Sequence, residues 1–344
     1  MAEDMTFEEL QEIVSVCLDE IIDLKNENKK LRDEMGHTLA AMKYELNVLE
    51  QRMNNMKYEL NDSTMNRDLL YFPRFHKIED TIDSIVNDRK SMVRFGDGEF
   101  AIMCNKKRQK FQHLDDRLAG RLKEIIESDE DGLLIGIADN YGSLEAYNQE
   151  GKLGIRQYMT DEVRRDHKKF LNLARKYHNA YISRPYVLYA DNLTDGPRKR
   201  FENLKRIWEN RKVMFVEGAL TRLGVGNDLF QNAKSIRRIE APPIDAFDKY
   251  DEILDAALKF AEEDSLFLIA LGPSAGVLAY DLYHAGYQAI DIGHIDLEYE
   301  WYRKGTGRRC EVKNKYNNEW YGGDIVEDIY DEEYLRQIVC IVAE

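Results

Sequence analysis

Apolar side chains recur every seven positions over the first sixty residues, a spacing that long helices satisfy and strands do not. One ladder runs through Leu10, Cys17, Leu24 and Leu31, and a second, offset by four, through Val14, Ile21, Asn28 and Met35. Two such ladders make the seam of a coiled coil, where each apolar knob enters a hole on a neighbouring helix. Beyond Gly36 the steps continue through Leu39, Leu46, Met53 and Leu60 and through Met35, Met42, Leu49 and Met56, with the phase slipped by four residues. A slip of that size is a stutter that locally unwinds a supercoil. The hexapeptide MKYELN stands at 42–47 and again at 56–61, two heptads apart. Asn28 occupies an expected apolar position, and a buried Asn there fixes register and favours two strands. The pattern predicts residues 1–70 as a coiled-coil spacer or oligomerisation region, with a parallel homodimer favoured. One long amphipathic helix folded back on the following domain satisfies the same pattern.

Pro73 and the aromatic residues Tyr71, Phe72 and Phe75 close the helical pattern, since proline cannot continue a helix interior. A second domain is expected over 71–344. There short apolar runs at 91–93, 133–138, 213–216, 266–271 and 289–292 alternate with helical patterns at 115–127, 160–176, 199–209, 248–262 and 274–284. Strands that alternate with helices predict an α/β domain with a mostly parallel sheet covered on both faces. The terminal IVCIVAE reads as one more strand.

A formal charge of −15 argues against bulk electrostatic capture of nucleic acid or an anionic membrane, because both need a cationic surface. The four cysteines, Cys17, Cys104, Cys310 and Cys340, lack the spacing of a zinc knuckle or disulfide framework. The start MAEDMTFEEL lacks the basic and then apolar design of a secretory signal, and no apolar run approaches the roughly 20 residues of a membrane span. The expected location is cytoplasmic, with peripheral attachment at the inner face of the membrane allowed.

The densest chemical signal is SMVRFGDGEF at 91–100, where a strand-like run opens into a glycine-flanked pair of carboxylates, Asp97 and Glu99. Acids two apart in a turn can offer oxygens to a hard cation such as Mg²⁺ or Mn²⁺, and the cation in turn holds a diphosphate. Asp-Gly also marks ordinary turns. LGPSAG at 271–276 leads from an apolar run into a helix, where backbone N–H groups can receive a phosphate; Ser274 is a candidate cap and Gly272 a candidate phosphate contact. It is not the GxGxxG fingerprint, and no GKS or GKT is present. In GALTRLGVGNDLF, Arg222 is placed to make paired bonds to diphosphate oxygens, and Asn227 and Asp228 either bond a sugar hydroxyl or cap the next helix. DIGHIDLEYEW follows the last clear run, at the end where open parallel sheets place ligands. On a strand its Asp296, Glu298 and Glu300 would share one face. Asp296 is the candidate base and His294 the candidate third metal ligand.

The whole pattern RFGDGEF resembles the signature of the GT-D glycosyltransferases, a bacterial family with a Rossmann-like fold. ISRPY (182–186), FVEGALTRLGVGNDLF (215–230), RRIEAPPIDAF (237–247), LGPSAGVLAYDL (271–282) and AIDIGHIDLEYEW (289–301) resemble successive blocks of that family, in order, over about residues 75 to 305. The resemblance implies a UDP-sugar donor, a divalent metal at Asp97 and Glu99, and a growing glycan as acceptor. Arg94, Gly96, Arg222, Asn227, Gly272 and Ser274 then become the expected donor contacts. The expected function is metal-dependent transfer of a hexose, glucose or a relative, to a surface polysaccharide or glycoprotein. The alternative from another class is a non-catalytic, nucleotide-sugar-binding scaffold paired by the coiled coil.

Overall fold

The computed structural model describes residues 7–65, 72–106 and 111–343. The chain divides into two compact units, one ending at Lys57 and one beginning at Tyr58. The domain boundary expected near residue 70, like Tyr71, lies outside the described residues.

The first unit belongs to one helix, α1 (Phe7–Met65), of 59 residues. It runs unbroken through Gly36, so the phase slip is absorbed without a turn. The ladder side chains stand exposed: Val14, Ile21, Leu24, Leu31, Met35, Leu39 and Met42 are each more than half accessible. The two copies of MKYELN differ in environment. Tyr44 is exposed, whereas Tyr58, in the second unit, is buried and donates to the Asn140 carbonyl at 2.8 Å.

The second unit is a nine-stranded sheet. In chain order it comprises β1 (Arg74–Phe75), α2 (Ile78–Asn87), β2 (Ser91–Phe95), α3 (Asp97–Met103), α4 (Asp116–Glu127), β3 (Leu133–Ile137), α5 (Gln149–Tyr158), α6 (Asp161–Lys168), β4 (Lys176–Asn179), α7 (Gly196–Lys205), β5 (Lys212–Gly218), β6 (Ser235–Ala241), α8 (Tyr250–Phe260), β7 (Leu266–Ala270), α9 (Ser274–His284), β8 (Gln288–Asp291), α10 (Ile295–Lys304), α11 (Glu332–Gln337) and β9 (Ile338–Ile341). The spatial order is β1-β4-β3-β2-β8-β7-β5-β6-β9, and every pairing between these strands is parallel. Side chains alternate between two covered faces, as period-two geometry requires. Val93, Phe95, Phe267 and Ile269 enter the core under α4, α8 and α9, while Met92, Val213, Phe215 and Leu268 enter the core on the other face with α2, α7 and α10.

Three local expectations are corrected. The helix expected over 160–176 stops at Lys168, and the polar tetrapeptide KYHN forms β4, which pairs with β1 and β3. The run at 295–304 is a helix, not a strand, so Asp296 and Glu300 share a face and Glu298 points elsewhere. Ser274 does not cap α9: the cap residue is Pro273, without a side-chain bond. The terminal strand forms as β9, and the four cysteines are unpaired.

Candidate functional site

Chain order reverses direction at β2, which lies between β3 on one side and β8 on the other. Open parallel sheets bind ligands at such a switch point, beyond the carboxyl ends of the strands. There β2 turns into α3 with Asp97 exposed at its first position and Glu99, half-buried, at its third. Glu99 accepts from the Gly96 backbone N–H at 2.7 Å, so its side chain reaches back to the residue before α3. Burial pushes the Glu99 carboxyl up to about 7, against those backbone bonds, and the carboxylates of Asp291 and Asp97 add to the push. The turn after β7 lies beside this motif: a Cβ placed on Gly98 would stand 3.8 Å from the Pro273 Cγ. Gly272 has φ +53°, and Ser274 is fully buried with a hydroxyl that has no hydrogen-bond partner.

Arg94 is spent inside the fold. Its Nε donates to the Asp291 carbonyl at 2.7 Å, one terminal nitrogen to the Asp291 carboxylate at 2.5 Å and the other to the Ser183 hydroxyl at 2.7 Å. The guanidinium thus ties β2 to β8 and to the turn after β4. Gly293 makes room for it, since its φ is +45° and a Cβ there would fall 2.1 Å from an Arg94 nitrogen.

Arg222 is placed on the C-terminal segment, where it donates to the carbonyls of Asn314 at 2.9 Å and Glu327 at 2.7 Å. Asn227 bridges Asp296 and Glu300 at 2.8 and 2.6 Å. Asp296 also accepts from the Gly224 N–H at 3.0 Å and from Lys315, itself buried, at 2.5 Å. Both carboxylate oxygens of Asp296 are therefore engaged, and the cluster holds the Gly224–Asn227 turn against the C-terminal segment. Three acceptor positions of Asp296 are thus spent inside the fold.

His294 lies between Arg184, 3.4 Å from Nδ1, and Asn318, 3.4 Å from Nε2. Burial, with Arg184 adding, lowers its pKa to about 4. A neutral ring that accepts at Nδ1 and donates at Nε2 has no lone pair left for a metal. Among the described residues no three His, Cys, Asp or Glu side chains form a metal-holding group, and His294 is engaged by Arg184 and Asn318. Asp97 and Glu99 alone fit a hard cation that keeps phosphate and water as its other ligands, which is how Mg²⁺ is usually held.

Several residues at this end of the sheet carried no role in the sequence reading. Arg184 pairs with Glu319 at 2.6 Å and faces Glu298 at 4.0 Å. Glu319 is held well below the usual carboxylate range, against the upward push of burial, by Arg184, His294 and Arg309. Asp139 follows β3 directly, half-buried, and burial pushes its carboxyl up to about 7 against one backbone bond from Tyr141. Its signal in the sequence was an acid just past the apolar run LLIGI, the place where parallel strands present functional side chains.

Comparison with known proteins places this geometry. A family model described as the glycosyltransferase GT-D fold matches residues 92–320. A protein of Streptococcus pneumoniae serotype 4 named glycosyltransferase GlyD is 37% identical over 265 residues, which cover 76% of this chain and 32% of that protein. A Streptococcus gordonii protein whose name is a glycosyl transferase, Gly, is 35% identical over 78% of this chain and 38% of its own length. The chain spans about a third of the length of these curated relatives. A solved structure described as a new glycosyltransferase from Streptococcus sanguinis aligns with TM-score 0.72 and 34% identity over 79% of this chain and all of that one. Another, described as a highly conserved domain with a distinct glycosyltransferase fold, aligns with TM-score 0.74 and 35% identity over 82% of this chain and 99% of its own.

Proposed function

The chain belongs to the glycosyltransferase GT-D fold family, and from that premise we propose that it transfers a hexose from a UDP-sugar, with a divalent cation, to a growing glycan of a surface polysaccharide or glycoprotein. The observation that carries this reading is the meeting of two turns at the switch point. A Cβ built on Gly98, between Asp97 and Glu99 at the start of α3, would stand 3.8 Å from the Cγ of Pro273 at the start of α9. Carboxylates for a cation and a helix start for phosphate oxygens thereby stand side by side.

In this reading Asp97 and Glu99 hold Mn²⁺ or Mg²⁺, which when bound neutralises charge on the departing diphosphate. Mutual repulsion among Glu99, Asp97 and Asp291 favours a cation there. Gly272, exposed where the chain enters α9, brings backbone N–H groups within reach of a phosphate oxygen, while Ser274 is fully buried behind that turn. Gly96 keeps Glu99 aimed by donating to one of its oxygens. Arg94 and Arg222 act at one remove, Arg94 by fixing β2 against β8 and Arg222 by holding the segment near residues 314 and 327. Asp296 and Asn227 position the turn at Gly224 rather than meeting substrate. The exposed ladders of α1 suit pairing with a second copy as a parallel dimer. Among the described residues no helix is long and apolar enough to cross a membrane, and we place the chain in the cytoplasm, at most peripheral to the membrane's inner face.

Binding tests the assignment of the site. UDP with Mn²⁺ should raise the melting temperature of the native chain, by about 2.7 kcal/mol of stabilisation at a hundredfold excess over Kd, and UDP alone should do less. The double variant Asp97→Ala, Glu99→Ala, whose unliganded melting temperature shifts with the lost Gly96 N–H bond, should lose the metal-dependent increment measured from its own baseline. An undiminished increment in that variant would move the donor site elsewhere.

A further inference from the structure

The two strands that flank β2 separate two kinds of chemistry. On the side of β8 and β7 lie the phosphate-compatible turn at Gly272 to Ser274 and the closed network of Arg94 and Asp291. On the side of β3 lies Asp139. Register places it: Phe95 of β2 pairs with Ile137 of β3, and the Ala138 N–H donates to the Phe95 carbonyl at 3.2 Å. Asp97 and Asp139 thus leave adjoining strands at equivalent positions, two residues past the last pair. From β3 to β7 is three strand spacings, roughly 14 Å. A leaving group seated at the β7 turn puts the far face of the donor sugar toward β3.

The surroundings of Asp139 differ from those of the other acids at this end. Asp296 meets Lys315, Asp291 meets Arg94 and Glu319 meets Arg184. No cation pairs with Asp139 among the described residues. Its neighbours are tyrosines: Tyr147, itself buried, donates to the Asp139 backbone carbonyl at 3.1 Å and backs the partly exposed rings of Tyr181 at 5.7 Å and Tyr189 at 5.8 Å. Aromatic walls with one convergent polar group suit a ligand that has an apolar ring face and a hydroxyl to be read. A pyranose has both.

Resting on the transferase reading, we propose that Asp139 is the general base of the reaction and that the partly exposed Tyr181 and Tyr189 beside it form the acceptor sugar's subsite. The acceptor hydroxyl oxygen forms its bond to the anomeric carbon while the bond from that carbon to the diphosphate oxygen breaks. The bonding pair leaves with UDP, and the hydroxyl proton passes to the Asp139 carboxylate. One displacement from the face opposite the leaving group inverts the anomeric configuration. Burial has already raised this carboxyl to about 7, where a base works best near neutral pH. The groups around it that titrate are Tyr141 and Tyr147 from its own loop and Tyr181 and Tyr189 from the segment after β4. Burial pushes the four tyrosines up, so they stay neutral across this range.

The test compares the native chain with Asp139→Asn and Asp139→Glu. UDP-glucose, UDP-galactose and UDP-N-acetylglucosamine serve as donors, an N-acetylglucosamine-ended glycan as acceptor and Mn²⁺ as the ion. Asp139→Asn should keep the full thermal shift with UDP and Mn²⁺, which reports folding and donor binding, and lose at least about a hundredfold in kcat. Asp139→Glu should recover part of that loss. The native kcat should fall as pH drops through about 7, and the product should carry the inverted anomeric configuration. Near-native turnover by Asp139→Asn, or a retained configuration, overturns this assignment and leaves the transferase reading intact. A native chain that neither binds UDP nor turns over any of the three donors overturns the transferase reading and this one with it.

Discussion

Glu298 is fully buried, accepts the backbone N–H groups of Tyr186 and Val187 at 2.9 Å each, and has Arg184 4.0 Å away. Burial wins over the cation and the two N–H bonds and pushes its carboxyl up to about 7. A native acid that holds its proton to higher pH than the unfolded chain does makes stability fall as pH rises, from the ordinary glutamate range to about 7. Glu298→Gln keeps an acceptor oxygen and removes the titration. Its melting temperature relative to the native chain should therefore be higher at pH 8 than at pH 5, by several degrees, as differential scanning calorimetry at the two pH values would read. A pH-independent difference would mean that Glu298 is ionised throughout. The sequence named Glu298 as one acid of a run, and nothing local distinguished it from Asp296. Their partners, Lys315 for one and the loop at Tyr186 and Val187 for the other, stand 19 residues after Asp296 and 112 and 111 residues before Glu298. Only the fold decides which charge is matched. Arg94 was hidden for the same reason, because Asp291 and Ser183 reach it across two strands.

At the scale of elements, continuous apolar runs were legible and strands interrupted by polar residues were not. β2, β3, β5, β7 and β8 read directly because consecutive apolar residues have few other places to go. β6 was hidden by the arginines of SIRRIEA; Arg238 is buried there by Glu217 at 2.5 Å, a contact between neighbouring strands. α10 looked like a strand because its acids share parity, while its helical face became readable only with Lys315 and Asn227 in place. α1 was the most legible element, and it is where pairing is tested. About 88 Å of helix carries its ladders exposed, and each buried leucine contributes about 2–3 kcal/mol. Sedimentation at micromolar concentration should give a dimer for the native chain, and Leu24→Glu with Leu31→Glu should weaken association at least about a hundredfold. A monomeric native chain would contradict pairing through α1.

For the whole molecule, the parallel sheet with its switch point at β2 converts sequence-distant turns into one site. The RFGDGEF motif supplied the carboxylates, and the LGPSAG turn the proposed phosphate seat, from the sequence alone. The structure adds that Gly98 faces Pro273, with room between them for little more than a methyl group, and that Asp139 stands on the β3 flank. It also redirects Arg222, Asp296 and His294 to internal partners. The central claim is that the junction of α3 and α9 is a metal-dependent donor site at which a sugar is transferred. The direct measurement is UDP release from a panel of UDP-hexoses, with a glycan acceptor, with and without Mn²⁺, by the native chain and by the Asp97→Ala, Glu99→Ala variant. The account predicts turnover of one donor that requires both the metal and the acid pair. Tight UDP binding with no turnover of any donor would contradict it and leave a nucleotide-sugar-binding scaffold as the better description.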